Sequence, residues 1–269
     1  MHSNIQSHWY STLLIKLSIA LHVLLLIGLL ISPDLWPWLL TILVINHLVI
    51  AAVGLWPRSN WLGPNWTQLP SGAISRNEIA LTIDDGPDPL ITPQVLDILD
   101  DHKVKATFFC IGNKAKKQPE LCREIAQRGH AVENHSQRHW HNFSMLGSKA
   151  LSREIEAAQQ TLLAITGRRP QFFRAPAGLR NLFLEPVLNR LGLTLASWSV
   201  RGFDTQVQDS EKVSRKLLAG LRPGAILLMH DGNAACTKKN MPIILAVLPT
   251  ILQAAKAQNL HFVTLRDAV

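Results

Sequence analysis

Residues 132–143, VENHSQRHWHNF, place His135, His139 and His141 within seven positions of a chain that contains eleven histidines. His135 and His139 are four apart. That spacing puts two imidazoles on one face of a helical turn, near enough to share a metal ion. His141 fits the face less well, and a lone histidine is more often scaffolding than a ligand. The stretch LTIDDGPDP, residues 81–89, adds adjacent carboxylates, Asp84 and Asp85, with Gly86 and Pro87 turning the chain immediately afterwards. Alone, such a segment is an ordinary turn. Set beside the histidine pair it completes a catalytic count: two imidazoles and one carboxylate hold a zinc-type ion with a position left for water, which the ion acidifies. A second carboxylate beside the first is then a natural base for the water's proton.

These groups need elements to carry them. Short β-branched or aromatic runs at residues 79–83, 106–111, 130–133, 171–174, 194–200, 225–229 and 261–265 read as strands. Amphipathic segments at 92–102, 114–128, 148–166, 182–191, 210–221 and 243–258 read as helices. Alternation of this kind argues for an α/β fold of parallel strands joined by helical crossovers. The polar candidates fall at carboxyl ends of strands, where parallel α/β folds build their sites. Asp84 and Asp85 follow the first strand, His135 the third and Asp204 the fifth, while Arg174 closes the fourth and His230 the sixth. A doubly wound open sheet and a (β/α) barrel are both compatible with this order; groups drawn from so many strands converge most readily if the sheet curls, which favours a barrel, complete or incomplete, of about seven strands.

Five segments, LTIDDGPDP, NHSQRH, FFRAPAG, WSVRGFD and ILLMHDG, occur in this order over residues 79–266. In order and approximate spacing they resemble the five motifs of the polysaccharide deacetylase family, carbohydrate esterase family four. The resemblance implies a distorted (β/α) barrel and metal-dependent removal of an acyl group, usually acetyl, from an amino sugar. It assigns Asp85, His135 and His139 to a divalent metal, Zn first, with Co, Ni or Mn as alternatives. It makes Asp84 the general base, oriented by Arg174, and His230 the general acid, paired with Asp204. A carboxylate beside an imidazole favours the imidazolium, which is what an acid needs near working pH. A backbone N–H near Ala177, together with the metal, would stabilise the oxyanion. Two departures stand out. Ala177 occupies a place where the family commonly has tyrosine, and in the fourth motif Arg201 and Thr205 replace an aspartate and a tryptophan. An arginine there suits a phosphate or carboxylate on the substrate, or a structural salt bridge.

The remainder of the chain is different in kind. Residues 12–31 and 35–55 are each about the 20 residues needed to cross a bilayer as a helix, and Ser32, Pro33 and Asp34 alone separate them. We read residues 1–56 as a transmembrane hairpin, in preference to a signal peptide followed by a buried core helix because no Ala-x-Ala-like cleavage site follows the first run, residues 57–77 as a turn-rich linker and residues 78–269 as the catalytic domain. Trp9, Tyr10, Trp36, Trp38 and Trp56 sit near the inferred ends, as interfacial aromatics do. His22, Asn46 and His47 fall inside the spans and are expected to bond between the helices. Lys16 and Asp34 cancel, so the net charge of +8 belongs to residues 57–269. A basic domain beside a membrane suits anionic headgroups or glycans; no concentrated basic helix or ribbon points to nucleic acid. Lys16 and Arg58 flank the spans on one side, which leans the domain towards the cytoplasm. Cys110, Cys122 and Cys236 are odd in number and give no disulfide framework. The expected partners are therefore membrane lipid and an N-acylated amino-sugar glycan or lipid-linked sugar. The competing function is a glycan- or headgroup-binding module whose catalytic machinery has decayed, a reading motivated by Ala177, Arg201 and Thr205.

Overall fold

The computed structural model describes residues 10–269. Trp9 therefore lies outside the described residues. In chain order the elements are α1 (Leu13–Ile31), α2 (Trp36–Gly54), α3 (Ser71–Ser75), β1 (Glu78–Asp84), α4 (Thr92–Asp101), β2 (Thr107–Cys110), α5 (Gly112–Lys117), α6 (Pro119–Gln127) and β3 (Ala131–Asn134). They continue as α7 (Ser148–Thr166), β4 (Phe172–Phe173), α8 (Leu184–Leu191), β5 (Thr194–Leu195), β6 (Val200–Arg201), α9 (Ser210–Leu218), β7 (Ile226–His230), α10 (Ile243–Ala257) and β8 (His261–Phe262). The region expected as one helix over 114–128 is two, because Pro119 lacks the N–H that would continue α5 and instead begins α6.

All strand pairings are parallel, in the order β5-β4-β3-β2-β1-β7-β6, with β8 added beside the start of β1. The two ends of that path, β5 and β6, are halves of one segment. Its first half pairs with β4, through Ala196 N–H donating to the Phe173 carbonyl, and its second with β7, through Ser199 N–H to the Ile226 carbonyl. The strand expected over 194–200 thus breaks at Ser197–Trp198 so that one piece of chain can serve both edges, and the sheet curls into the distorted barrel.

Alternation along the strands decides what faces inward. In β1, Ile79, Leu81 and Ile83 join the outer core with the helices, which leaves Ala80, Thr82 and Asp84 to the interior. In β7, Leu227 and Met229 pack outward, while Ile226, Leu228 and His230 turn in. Phe109 and Phe172 are likewise inward. The helices supply the outer wall through Leu96, Leu99, Ile125, Leu162, Val213, Val247 and Ile251. A catalytic group on the inward period of a strand end is thereby aimed into the barrel mouth by the same pattern that builds the core.

Helices α1 and α2 stand apart from this core, and each is long and apolar enough to cross a membrane. Only 6% and 11% of their apolar windows are buried. They touch through Asn46 Nδ2 donating to Ser18 Oγ at 2.8 Å and through the His22 and His47 rings, edge to face at 5.3 Å. The Nδ1 atoms of both histidines bond carbonyls of their own helix instead, at Ser18 and Leu43.

Residues 57–69 lie against the barrel. Leu62 and Leu69 are buried, Trp66 N–H donates to Leu195 O, and Leu69 N–H donates to Gly224 O. The carboxyl end of α2 is attached too: Arg180 N–H donates to Gly54 O at 3.0 Å, and a Cβ at Gly54 would lie 2.3 Å from Arg180 O.

Candidate active site

Asp84 ends β1, level with Phe109 of β2 and His230 of β7 across the ladders. The chain then bends sharply. Asp85 is in the left-handed region at φ 73°, and Gly86 precedes a cis Pro87. Gly86 is required by contact, since a Cβ there would lie 2.5 Å from both carboxylate oxygens of buried Asp231. Asp231 in turn accepts from Thr92 Oγ1, tying the start of α4 to the site, and burial pushes its carboxyl up to about 7.

His135 and His139 are not on a helix. They occupy an irregular loop after β3, in which Ser136 (φ 63°) and His139 (φ 55°) are left-handed. Side chains impose that shape: Asn134 Oδ1 accepts from Ser136 N–H, Ser136 Oγ accepts from His139 N–H, and Glu154 Oε2 accepts from Arg138 N–H. The expected convergence is present, with ring centroids 4.7 Å apart, but a loop knotted by local hydrogen bonds delivers it. His141 is exposed and lies outside the cluster.

One oxygen, Asp85 Oδ1, lies 3.2 Å from His135 Nε2 and 3.2 Å from His139 Nε2. It is buried and has no hydrogen-bond partner, whereas Oδ2 of the same carboxylate accepts from Asn233 Nδ2 at 3.1 Å. His135 Nδ1 faces the Arg174 carbonyl at 2.9 Å. A carbonyl only accepts, so the proton sits on Nδ1 and Nε2 of the neutral ring presents a lone pair. Burial, reinforced by His135, pushes the His139 imidazole down to about 4. Burial raises the pKa of the Asp85 carboxyl, but His135, His139 and His230 outweigh it and hold the group well below the usual carboxylate range. Among the described residues, Asp85, His135 and His139 are the one group of three whose ligand atoms converge, all within 4.8 Å of one another. An orphaned anionic oxygen facing two imidazole nitrogens fits a divalent cation.

The rest of the floor is saturated with bonds. Arg174, 1% exposed, donates from Nη1 to Asp84 Oδ1 at 2.7 Å and to Thr82 Oγ1 at 2.8 Å, from Nε to Ala196 O and from Nη2 to Ser197 O. Its guanidinium lies 4.1 Å above the Phe109 ring. Asp84 Oδ2 is left facing His135 Nε2 at 3.9 Å. Across the mouth, Asp204, fully buried, accepts from His230 Nδ1 at 2.9 Å and from His230 N–H at 2.7 Å. Burial lowers the His230 pKa, but the hydrogen bond and charge of Asp204, with Asp84 and Asp85, leave it raised above the ordinary value.

Asp84, Asp85, His135, His139 and His230 line a cavity of about 340 Å³, together with Ala177, Gly178, Trp198, Arg201, Thr205, Gln206 and Asn233. Ala177 is itself left-handed, at φ 55°. Among the described residues Arg201 forms no salt bridge, and its Nε is buried without a partner. Left-handed Asp85, His139, Ala177 and Phe203 all stand at or beside this cavity, which is where strained backbone tends to gather.

Sequence reasoning placed Asp84, Asp85, His135, His139, Arg174, Asp204 and His230 about one site, and the structure brings all seven there. It missed Thr82, Asn233 and Asp231. Thr82 had a signal, being a polar residue two positions before Asp84 in an apolar strand and hence on the same face. Asn233 had none beyond closeness to His230.

An inward-facing ring of carboxylates and imidazoles at the carboxyl end of a curled parallel sheet has the groups that acid–base and metal-assisted hydrolysis require. The polysaccharide deacetylase family model matches residues 71–196. A chitooligosaccharide deacetylase of Azorhizobium caulinodans is 38% identical over 159 residues, 59% of this chain and 75% of that protein. A peptidoglycan-N-acetylglucosamine deacetylase of Bacillus cereus is 29% identical over 79% of this chain and 75% of its own length. The crystal structure of the Bc1960 peptidoglycan N-acetylglucosamine deacetylase superposes with a TM-score of 0.69 at 28% identity, over 76% of this chain and 92% of that one. The chain belongs to the polysaccharide deacetylase family.

Proposed function

We propose that the chain is a membrane-tethered, metal-dependent hydrolase that removes an N-acyl group, N-acetyl as in the names of its relatives, from an amino sugar. The observation that carries this reading is the partnerless Asp85 Oδ1 facing the Nε2 atoms of His135 and His139. Those three residues would hold the metal, Zn by the donor set of two nitrogens and one oxygen. When bound, such an ion acidifies a water and polarises the acyl carbonyl.

The chain's own groups do the remainder. Asp84, with one oxygen fixed by Arg174, takes the proton of the attacking water on the other. His230, held as an acid by Asp204, gives its Nε2 proton to the departing amine. The backbone N–H at Ala177, on the cavity wall, stabilises the oxyanion. Breaking the amide without an acid would expel an amide anion; with His230 the leaving group is a neutral amine.

Tethering is assigned to α1 and α2 as a two-helix hairpin, supported by their length and by apolar side chains that no protein covers. Lys16, in the first turn of α1, and Arg58, just past α2, lie at the same end of the hairpin, and the intervening turn carries Asp34 alone, which favours a cytoplasmic domain. A compartment-sensitive reporter fused after Val269 tests that placement, and a signal confined to the outer side would reverse it.

The activity test uses purified full-length protein with Zn or Co and N-acetylated oligosaccharides. Acetate release should stop on chelation and resume on adding metal. Failure to release acyl from any amino sugar with any divalent ion, combined with glycan affinity that survives Asp84→Asn, would replace the enzyme by a binding module.

A further inference from the structure

We propose that the site selects an amino sugar carrying a phosphate, that Arg201 is the residue engaging this phosphate, and that the phosphate links the sugar to a membrane lipid. This rests on the deacylase reading and names the substrate class of the same site.

The first observation is Arg201 itself. It ends β6 opposite Leu228, and both residues line the catalytic cavity. Its guanidinium lies 5.5 Å from the Trp198 ring and 5.0 Å from the Phe203 ring, with Lys216 Nζ also 4.4 Å from Phe203. Phe203 adopts φ 63° there, an uncommon conformation for an aromatic residue. Arg201 is thus held in place by rings and not by an acid. The nearby carboxylate, Asp204, is committed to His230. Arg174, buried behind the cavity-lining Asp84, shows the alternative, four bonds including one to a carboxylate. A guanidinium whose Nε is buried and unpaired in a polar cavity calls for an acceptor, and an oxyanion matches its planar fork.

The second observation is where the cavity sits. Its wall at Gly178 and Trp198 is in contact with the chain leaving α2: a Cβ at Gly178 would lie 2.5 Å from Trp198 and 2.7 Å from Pro57 Cβ. Ser197 Oγ donates to Pro57 O at 2.8 Å, and Arg58 Nη1 reaches Ser199 O at 3.4 Å. Leu55, Trp56, Trp61, Leu182 and Phe183 present exposed apolar side chains around that exit. With α2 in the bilayer, the catalytic mouth is held at the headgroup level by a few residues of packed chain. A phosphate joining a sugar to a lipid lies at that level, beside Arg201 and Arg58. A carboxylate on a distant polymer has no such reason to be there.

The test uses full-length protein in lipid nanodiscs with Zn. It compares kcat/KM for N-acetylglucosamine joined through a phosphodiester to a short polyprenol, for diacetylchitobiose, and for an N-acetylmuramic-acid disaccharide bearing a carboxylate. In parallel, calorimetry measures N-acetylglucosamine 1-phosphate binding to metal-free protein. The phosphate-linked substrate should be preferred, and Arg201→Gln should lower the ratio of phosphate-linked to neutral turnover by about tenfold to a hundredfold, mainly through KM. Arg201→Lys should retain part of the preference and controls for a folding defect, as does unchanged zinc content. Arg201→Gln should also weaken the sugar phosphate by a similar factor in the calorimeter. Equal turnover of phosphate-linked and neutral sugars, or a preference indifferent to Arg201, overturns the proposal and leaves the deacylase intact. Arg201-dependent preference for the carboxylate-bearing disaccharide alone overturns the phosphate assignment. Absence of acyl release from all three substrates defeats the deacylase reading, and the calorimetric arm then decides whether Arg201 recognises phosphate.

Discussion

The floor and the rim of the catalytic cavity are built on opposite principles. On the floor Arg174, Asp84, Thr82, Asp204 and His230 sit on strand ends or are bonded to them, and nearly every polar atom has a partner. On the rim Ala177 and Phe203 stand on left-handed chain, and Arg201, at the end of β6, has its Nε unpaired. Saturation fixes groups whose geometry must not vary while a proton moves. An unpaired cation beside the opening is costly to keep unless something arrives to meet it. An exception on the floor, Asp85 Oδ1, follows the same logic, since on the proposed reading it is left for a metal ion as Arg201 is left for a substrate.

Substitutions can break this contrast. The largest effect is expected from Asp84→Asn, which should reduce kcat by a factor on the order of 10² to 10⁴ while zinc content, read by elemental analysis, stays the same. Loss of metal in that variant would move Asp84 from base to ligand. Arg174→Met should cost about 3–5 kcal/mol of unfolding free energy, because it strands the buried Asp84 carboxylate; denaturant titration measures it. A loss under 1 kcal/mol would mean that the floor is less committed than its bonds suggest. Removing metal by chelation should lower stability by about 2–3 kcal/mol for a site about 99% occupied, visible as a lower melting temperature that zinc restores. His135→Ala or His139→Ala should abolish that zinc response.

A subtler change is expected from Asp204→Asn. The anionic partner raises the His230 pKa, so the imidazolium persists to higher pH than an ordinary histidine would. Without it the acid is lost at lower pH, and the alkaline limb of the kcat profile should move down the scale. The same pairing favours the folded state fully below the ordinary histidine pKa and fades as pH rises through the raised value. An unmoved limb would remove Asp204 from that role. Smallest of all, exposed His141→Ala should leave zinc affinity unaltered and change stability by no more than about 0.5 kcal/mol. Equal metal loss from all three histidine variants would overturn the ligand set.

Legibility followed the range of the interactions concerned. The strand carrying Asp84 was plain because its period of two separates Ile79, Leu81 and Ile83 from Thr82 and Asp84, a pattern local to seven residues. The break at Ser197–Trp198 was not legible, because nothing in a run of strand-forming residues says that its two halves will pair with different neighbours. The His135–His139 spacing suggested a helical turn; Asn134, Ser136 and distant Glu154 overrode it with a hydrogen-bonded loop. The helix over 114–128 was misjudged for a local reason that could have been seen, Pro119.

From residue types and spacing alone came the alternating β and α elements, the two long apolar helices, and the carboxylates and imidazoles gathered at strand ends. These are consequences of periodicity and of side-chain chemistry, which act over a few residues. Only the folded chain decided that Asp85 Oδ1 is left without a hydrogen-bond partner, that Arg201 rests on rings instead of pairing with an acid, and that the chain leaving α2 abuts the cavity wall at Gly178. Each depends on atoms from segments scores of residues apart meeting within a few ångströms, and that meeting is set by the packing of the whole barrel.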